Sequence, residues 1–278
     1  MSHKRPRFFP RTDQLSVITA TIGLGYVLSR FVFLPDRTVE TMLFGSPISV
    51  HVDGQAILII LLAALITNGT DVLIRSHPSF RLEPLNLHPL SHWIMPALTT
   101  LTAGVILNSI PEQSLWLLGM IVGVSILVIV LVIEYSVIEP EMSLISRLQI
   151  GYTLLSYLVA LVGFVWVAQL GVRSAISGTS ILLIGGLISF RLLLLHGSDS
   201  AEAGWNSLVV GLILAELMWA LGYWALPPML VGSWLLIVLH LSVGIICMGR
   251  KRVTFGRAVR EHAIVAFVAF AISALLLL

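Results

Sequence analysis

Long apolar stretches alternate with short polar ones along almost the whole chain. An α-helix rises about 1.5 Å per residue, so about 20 mostly apolar residues cross the hydrocarbon core of a bilayer. Proline, glycine and charged residues bound the stretches that reach this length. Nine spans are predicted, at residues 14–34, 55–75, 92–110, 114–137, 147–170, 174–196, 205–225, 228–249 and 259–278.

This pattern predicts an all-α fold, a polytopic bundle of transmembrane helices in a single integral membrane domain covering residues 1–278. The first apolar stretch follows a basic segment, as in a signal peptide. However, it is too long for a signal-peptide core, and no small-x-small cleavage site follows it. We therefore expect it to remain as an uncleaved first span.

The loop at residues 35–54 has a different pattern. Its residues 48–53, "ISVHVD", alternate apolar and polar side chains. That period of two is typical of extended backbone. We expect an extended segment lying across the outer mouth of the bundle, although the sequence shows no evident partner strand.

The distribution of basic residues predicts the orientation of the chain in the membrane. Cytoplasmic loops of membrane proteins carry an excess of Lys and Arg. If the N-terminus is cytoplasmic, three basic residues face outside: Arg30, Arg37 and Arg173. The other basic residues then all lie inside, including both strong clusters, "HKRPR" and "GRKR". Nine spans therefore place the N-terminus in the cytoplasm and the C-terminus outside.

The composition supports a membrane location and narrows the partners. Hydrophobic residues make up 57% of the chain and charged residues 11%, against about 25% charged in a soluble domain. The basic residues flank apolar spans and do not line a folded face, so nucleic acid is not an expected partner. Membrane lipids and other membrane subunits are the expected partners, and no cofactor is predicted.

A glutamate interrupts the apolar run "LILAELMWALGYW". A charge at the bilayer centre costs about 2.5–3.5 kcal/mol, so Glu216 needs a partner, a proton or water. His240 lies at a similar distance from the turn at Pro227, roughly 17–19 Å from the outer end for each residue. We expect the two to form an intramembrane polar pair, either as a clasp between helices or as a proton-carrying or ligand-binding site. A neutral Glu216 facing lipid is the remaining alternative.

A second polar layer is predicted near the cytoplasmic side. Asp71, Glu134 and Arg191 each lie about four or five residues from the inner end of a span, so their depths match within one helical turn. They either form a network or stay separate. In the second case Arg191 extends to the headgroups and the acids hydrate at the interface.

Three histidines lie between the second and third spans, on the predicted cytoplasmic side: His77, His88 and His92. A metal site needs three or four ligands, and His196 and Glu83 are further candidates. Pro89 as a first helical residue would leave His88 at the cap, away from the helix face. The alternative is that these imidazoles contact lipid headgroups.

Sequence motifs of common enzymes are missing. The chain contains no G-x-x-x-x-G-K-[ST], G-x-S-x-G or H-E-x-x-H sequence. Its one cysteine, Cys247, excludes an intrachain disulfide. Whether the protein is an enzyme stays open on these grounds, with the balance against it.

Three segments together resemble an uncharacterised bacterial family of multi-pass membrane proteins: "SHWIMPALTTL", "VIEYSVIEPE" and "LAELMWALGYWALPP". The resemblance covers most of the chain and implies an integral membrane protein of a bacterium. We expect its location to be the plasma (inner) membrane, which it crosses several times. It gives no residue a role, because the family has no established activity.

Three classes of function remain. The first is an accessory or scaffold protein that binds lipid or a partner chain. The second is a transporter of a small solute or of protons that uses Glu216 and His240, with residues 176–186 as the candidate broken helix. The third is a lipid-active enzyme that uses the cytoplasmic-face histidines.

Overall fold

The computed structural model describes residues 10, 12–32, 34–35, 37–43, 46–52, 54–77, 88–138, 145–172, 174–224 and 226–250. Within these residues the chain forms eight helices and one β-hairpin. The helices are α1 Thr12–Phe31, α2 Gly54–Arg75, α3 His88–Asn108, α4 Gln113–Ser136, α5 Ile145–Gln169, α6 Ser174–Leu195, α7 Ser200–Leu221 and α8 Pro228–Arg250.

The predicted helical fold is confirmed for the first eight apolar stretches, most to within four residues at each end. Helices α2 to α8 each contain a segment long and apolar enough to cross a membrane, by length and composition. Helix α1 is less apolar and carries hydroxyl side chains. Two of them donate to carbonyl oxygens one turn earlier, Thr19 to Leu15 at 2.7 Å and Thr21 to Val17 at 2.7 Å. The predicted ninth span, residues 259–278, lies outside the described residues.

The extended segment after α1 is one strand of a hairpin. Strands β1 Arg37–Leu43 and β2 Ser46–Val52 pair antiparallel, with Val39 opposite Val50. The prediction of extended backbone near residue 48 is therefore confirmed. The fold is not purely helical, because the preceding residues supply a partner strand that the sequence did not reveal.

The chain divides into two compact units, Met1–Leu82 with Pro96–Glu141, and Glu83–Met95 with Met142–Leu278. The single membrane domain expected from the sequence stays a prediction. In the first unit, α1, α2 and α4 surround an apolar core that includes Ile66, Leu127 and Leu131. The Tyr26 hydroxyl of α1 donates to the Thr100 carbonyl of α3 at 2.8 Å. This bond ties two helices together inside the core.

In the second unit, α7 packs chiefly against α6, and α8 packs chiefly against α5. The α6–α7 contact is close because both helices present glycine. A Cβ atom added to Gly211 would lie 2.9 Å from the Leu182 carbonyl oxygen and 3.4 Å from the Gly186 Cα. Small residues allow this approach of two backbones in a membrane. The contact fixes which face of α7 turns inward.

Candidate functional site

Glu216 lies on the face of α7 that points away from α6, and its side chain is exposed. The buried positions of this helix form one stripe: Ala203, Ser207, Val210, Gly211, Leu214, Met218 and Leu221. At about 100° per residue, Glu216 is about 200° from Leu214, on the opposite side of the helix. Within the part of the chain that the structure describes, no hydrogen bond or ion pair reaches its carboxylate.

His240 lies half-buried on α8 and faces α5. Its ring meets the ring of Tyr157 edge-on, with centroids 5.3 Å apart and planes at 74°. The expected pairing of Glu216 with His240 rested on the short turn between α7 and α8. The structure does not bring the two side chains together, because α7 uses its small-residue stripe against α6 and α8 uses His240 against α5.

Arg191 is the largest fully buried side chain among the described residues, with 1% of its surface exposed. Its Nε donates to the Tyr152 hydroxyl of α5 at 3.1 Å, and its guanidinium lies over the Tyr152 ring, 5.5 Å from the centroid. The expected alternative, in which Arg191 extends to the headgroups, does not fit this burial. The side chain instead turns into the second unit, where its Nε bonds to Tyr152.

Two residues that the sequence did not single out complete this buried polar cluster. Tyr152 is fully buried, and Ser156, one turn later on α5, donates to the Tyr152 carbonyl at 2.8 Å. The Ser156 hydroxyl also lies 3.6 Å from the Met95 sulfur of α3. A tyrosine within an apolar helix is a weak signal by itself, because such residues often anchor at the membrane interface.

The two acids of the predicted cytoplasmic layer have different surroundings. Asp71 is partly exposed and forms an ion pair with Arg75, one turn later on α2, at 2.6 Å. Glu134 is fully buried on α4. Both belong to the first unit and Arg191 belongs to the second. A single layer of all three residues would join the units, and it stays a prediction.

The histidines are also distributed between the units. His77 is buried in the first unit and meets the Tyr135 ring edge-on at 4.6 Å, whereas His92 is buried in the second. The side chain of His88 lies outside the described residues. His196 is exposed, and its Nδ1 lies 2.7 Å from the Leu192 carbonyl of its own helix. Among the described side chains, no three His, Cys, Asp or Glu residues are arranged to hold a metal.

A transporter interpretation favoured a helix broken near residues 176–186. Helix α6 instead runs without interruption through this stretch. The glycines there serve packing: Gly186 faces the Ser207 carbonyl, and Gly178 faces the Ala215 carbonyl. The sequence feature therefore reflects close contact between helices.

Comparison with known proteins gives a family without an activity. The family model described as "Protein of unknown function (DUF5656)" matches residues 34–276. No curated protein and no solved structure matches the chain. The resemblance to an uncharacterised family is confirmed, and the match includes every helix from α2 to α8. The chain therefore belongs to the DUF5656 family of proteins of unknown function.

Proposed function

We propose that this protein is a scaffold of the bacterial inner membrane that binds a partner helix through the exposed face of α7. The observation that carries this proposal is the position of Glu216, in the middle of an apolar helix and facing away from α6. An ionisable group at membrane depth is costly and marks a functional surface by default. A partner that supplies a hydrogen bond removes this cost.

Cross-linking in native membranes tests this proposal. A photoreactive residue replaces Ile213 on the outer face of α7 or, as a control, Leu183 on α6; both positions are exposed. We expect Ile213 to cross-link to a protein and Leu183 to lipid alone, and we expect Glu216→Leu to abolish the protein adduct. Lipid adducts at both positions, unchanged by Glu216→Leu, would contradict a binding face on α7.

The proposal includes nine spans, a cytoplasmic N-terminus and an external C-terminus. Seven helices of suitable length and composition, found among the described residues, support a multi-pass protein. The distribution of Lys and Arg supports the orientation. Helix α1 counts as a span here because its large apolar side chains are exposed, as a lipid-facing surface requires: Val17, Leu24, Leu28 and Phe31.

A transporter of a small anionic solute is the second candidate, and Arg191 is the observation that favours it. A buried guanidinium within a span is a fixed positive charge where most side chains are apolar. Liposomes that contain the purified protein and a chloride-sensitive dye test this candidate. Chloride flux above that of protein-free liposomes, lost in Arg191→Gln and kept in Arg75→Gln, supports it; flux equal to that of empty liposomes contradicts chloride transport.

A further inference from the structure

We propose that the partner of α7 is the same helix in a second copy of this chain, with the two Glu216 carboxyl groups paired. This inference rests on the proposed function, since it names the helix that the α7 face binds. The residues involved are here called the α7 seam: Trp205, Val209, Leu212, Glu216 and Trp219 of α7, and Tyr223 in the turn directly after the helix.

The spacing of the α7 seam is the first argument. Successive members are separated by four, three, four, three and four residues, which is the a/d pattern of a left-handed coiled coil. From Trp205 to Trp219 the helical part of the seam covers about 21 Å, roughly two thirds of the thickness of the hydrocarbon core. Side chains with this repeat stay in contact with a neighbouring helix along its whole length.

Exposure is the second argument. The apolar and aromatic members of the α7 seam range from 41% exposed at Val209 to 78% at Tyr223. The opposite stripe of α7 already packs on α6 through Ser207 and Gly211. Among the described residues, no other helix covers the α7 seam, so its coiled-coil repeat is available to a further helix.

The chemistry of Glu216 identifies that helix. Two copies inserted in the same orientation have parallel α7 helices when a twofold axis runs along the membrane normal. In a parallel pair each a position faces the same position of its partner, so the carboxyl groups meet at equal depth. A protonated carboxyl both donates and accepts, so the pair satisfies itself without a charge in lipid. An antiparallel or wholly apolar partner would place an apolar side chain against Glu216.

Disulfide cross-linking of the full-length protein in liposomes tests this inference. In a Cys247→Ser background, Leu212→Cys places a thiol in the α7 seam and Leu183→Cys places one on the exposed face of α6. Oxidation should give a covalent dimer with Leu212→Cys at both high and low protein-to-lipid ratios, and monomer with Leu183→Cys. Monomer with both variants would overturn the inference.

Substitution of Glu216 tests the pairing itself. Glu216→Gln keeps a group that both donates and accepts, so the dimer should persist. Glu216→Leu removes the hydrogen bonds, and the dimerisation constant should fall about 3- to 30-fold. Circular dichroism should show the same helix content in both variants, since Glu216 bonds to none of the described residues. An unchanged dimerisation constant in Glu216→Leu would overturn the pairing.

The two proposals fail in different ways. A purified protein that stays monomeric while Ile213 cross-links to a different chain in native membranes overturns the second-copy inference and leaves the scaffold function standing. No cross-link to any protein, in liposomes or in native membranes, overturns both.

Discussion

At the scale of single residues, the structure separates two ionisable groups that the sequence treats alike. Arg191 and Glu216 both interrupt apolar helices, yet one is 1% exposed and the other is exposed. A buried arginine keeps its charge and therefore needs partners. A glutamate in lipid can take up a proton and become neutral. The arginine therefore belongs inside the unit, while the acid tolerates the outer face.

Tyr152→Phe should destabilise the protein through Arg191. The change removes the hydroxyl 3.1 Å from Nε and keeps the ring under the guanidinium. A hydrogen bond to a charged group contributes about 1.5–3 kcal/mol, so the free energy of unfolding in a detergent titration should fall by this amount. The control is Tyr223→Phe, which removes a hydroxyl from a 78% exposed side chain and keeps the ring, so the free energy of unfolding of the detergent-solubilised monomer should not change. Equal effects of the two changes would show that the Arg191 contact is not stabilising.

At the scale of elements, the contact between α6 and α7 determines how α7 is rotated. Gly211→Ala should destabilise the protein, since the new Cβ would lie 2.9 Å from a backbone oxygen that cannot move alone. Overpacking of this kind costs about 1–3 kcal/mol. Gly151→Ala is the matched control on α5, where nothing lies within 4 Å of the new Cβ, and it should be stabilising by up to about 1 kcal/mol. Thermal unfolding in detergent measures both changes, and a neutral Gly211→Ala would mean that the two helices separate easily.

The first turn of α7 depends on its cap. The Asp199 carboxylate accepts a hydrogen bond from the Ala201 backbone N–H at 3.3 Å, and Glu202 follows three residues after the cap. Asp199→Ala should lower the free energy of unfolding by about 0.5–2 kcal/mol, whereas Asp199→Asn should keep most of it. Hydrogen exchange of the amides at residues 200–203 would locate the effect. If these amides exchange at the same rate in both variants, the lower free energy of unfolding in Asp199→Ala does not come from the α7 cap.

At the scale of the whole molecule, the orientation of the spans is the property to measure. In a Cys247→Ser background, Gly45→Cys, which lies between β1 and β2 in the sequence, should react with an impermeant maleimide added to spheroplasts. Ser79→Cys, between α2 and α3, should react only after permeabilisation. These outcomes follow from the charge distribution, which predicts a hairpin outside and an α2–α3 loop in the cytoplasm. The reverse labelling would invert the orientation.

A separate experiment measures whether the number of spans is odd or even. With nine spans, tags before Met1 and after Leu278 lie on opposite sides of the membrane, and only the C-terminal tag should be digested when protease is added to spheroplasts. Digestion of neither tag, in a preparation where the Gly45→Cys thiol is accessible, would mean an even number of spans.

The sequence predicted the positions of the helices well, but it predicted the contacts between elements less well. Length and composition act within a local window, so eight helices were placed with most ends within four residues. Helix α7 begins at Ser200, five residues before the predicted span, because the polar stretch before it supplies the Asp199 cap. Strand β1 was missed because "RTVETML" shows its pairing only when residues 46–52 lie beside it.

The sequence by itself determined that this chain forms apolar helices long enough to cross a membrane and which few residues interrupt them. Both follow from the cost of placing polar groups in lipid, which depends on residue type and on the length of each apolar run. Only the tertiary structure decided which way each interrupting residue faces. Helix rotation depends on which glycines and serines meet across an interface, as Gly211 meets α6. Those contacts buried Arg191, turned His240 towards Tyr157 and left Glu216 on the outer surface.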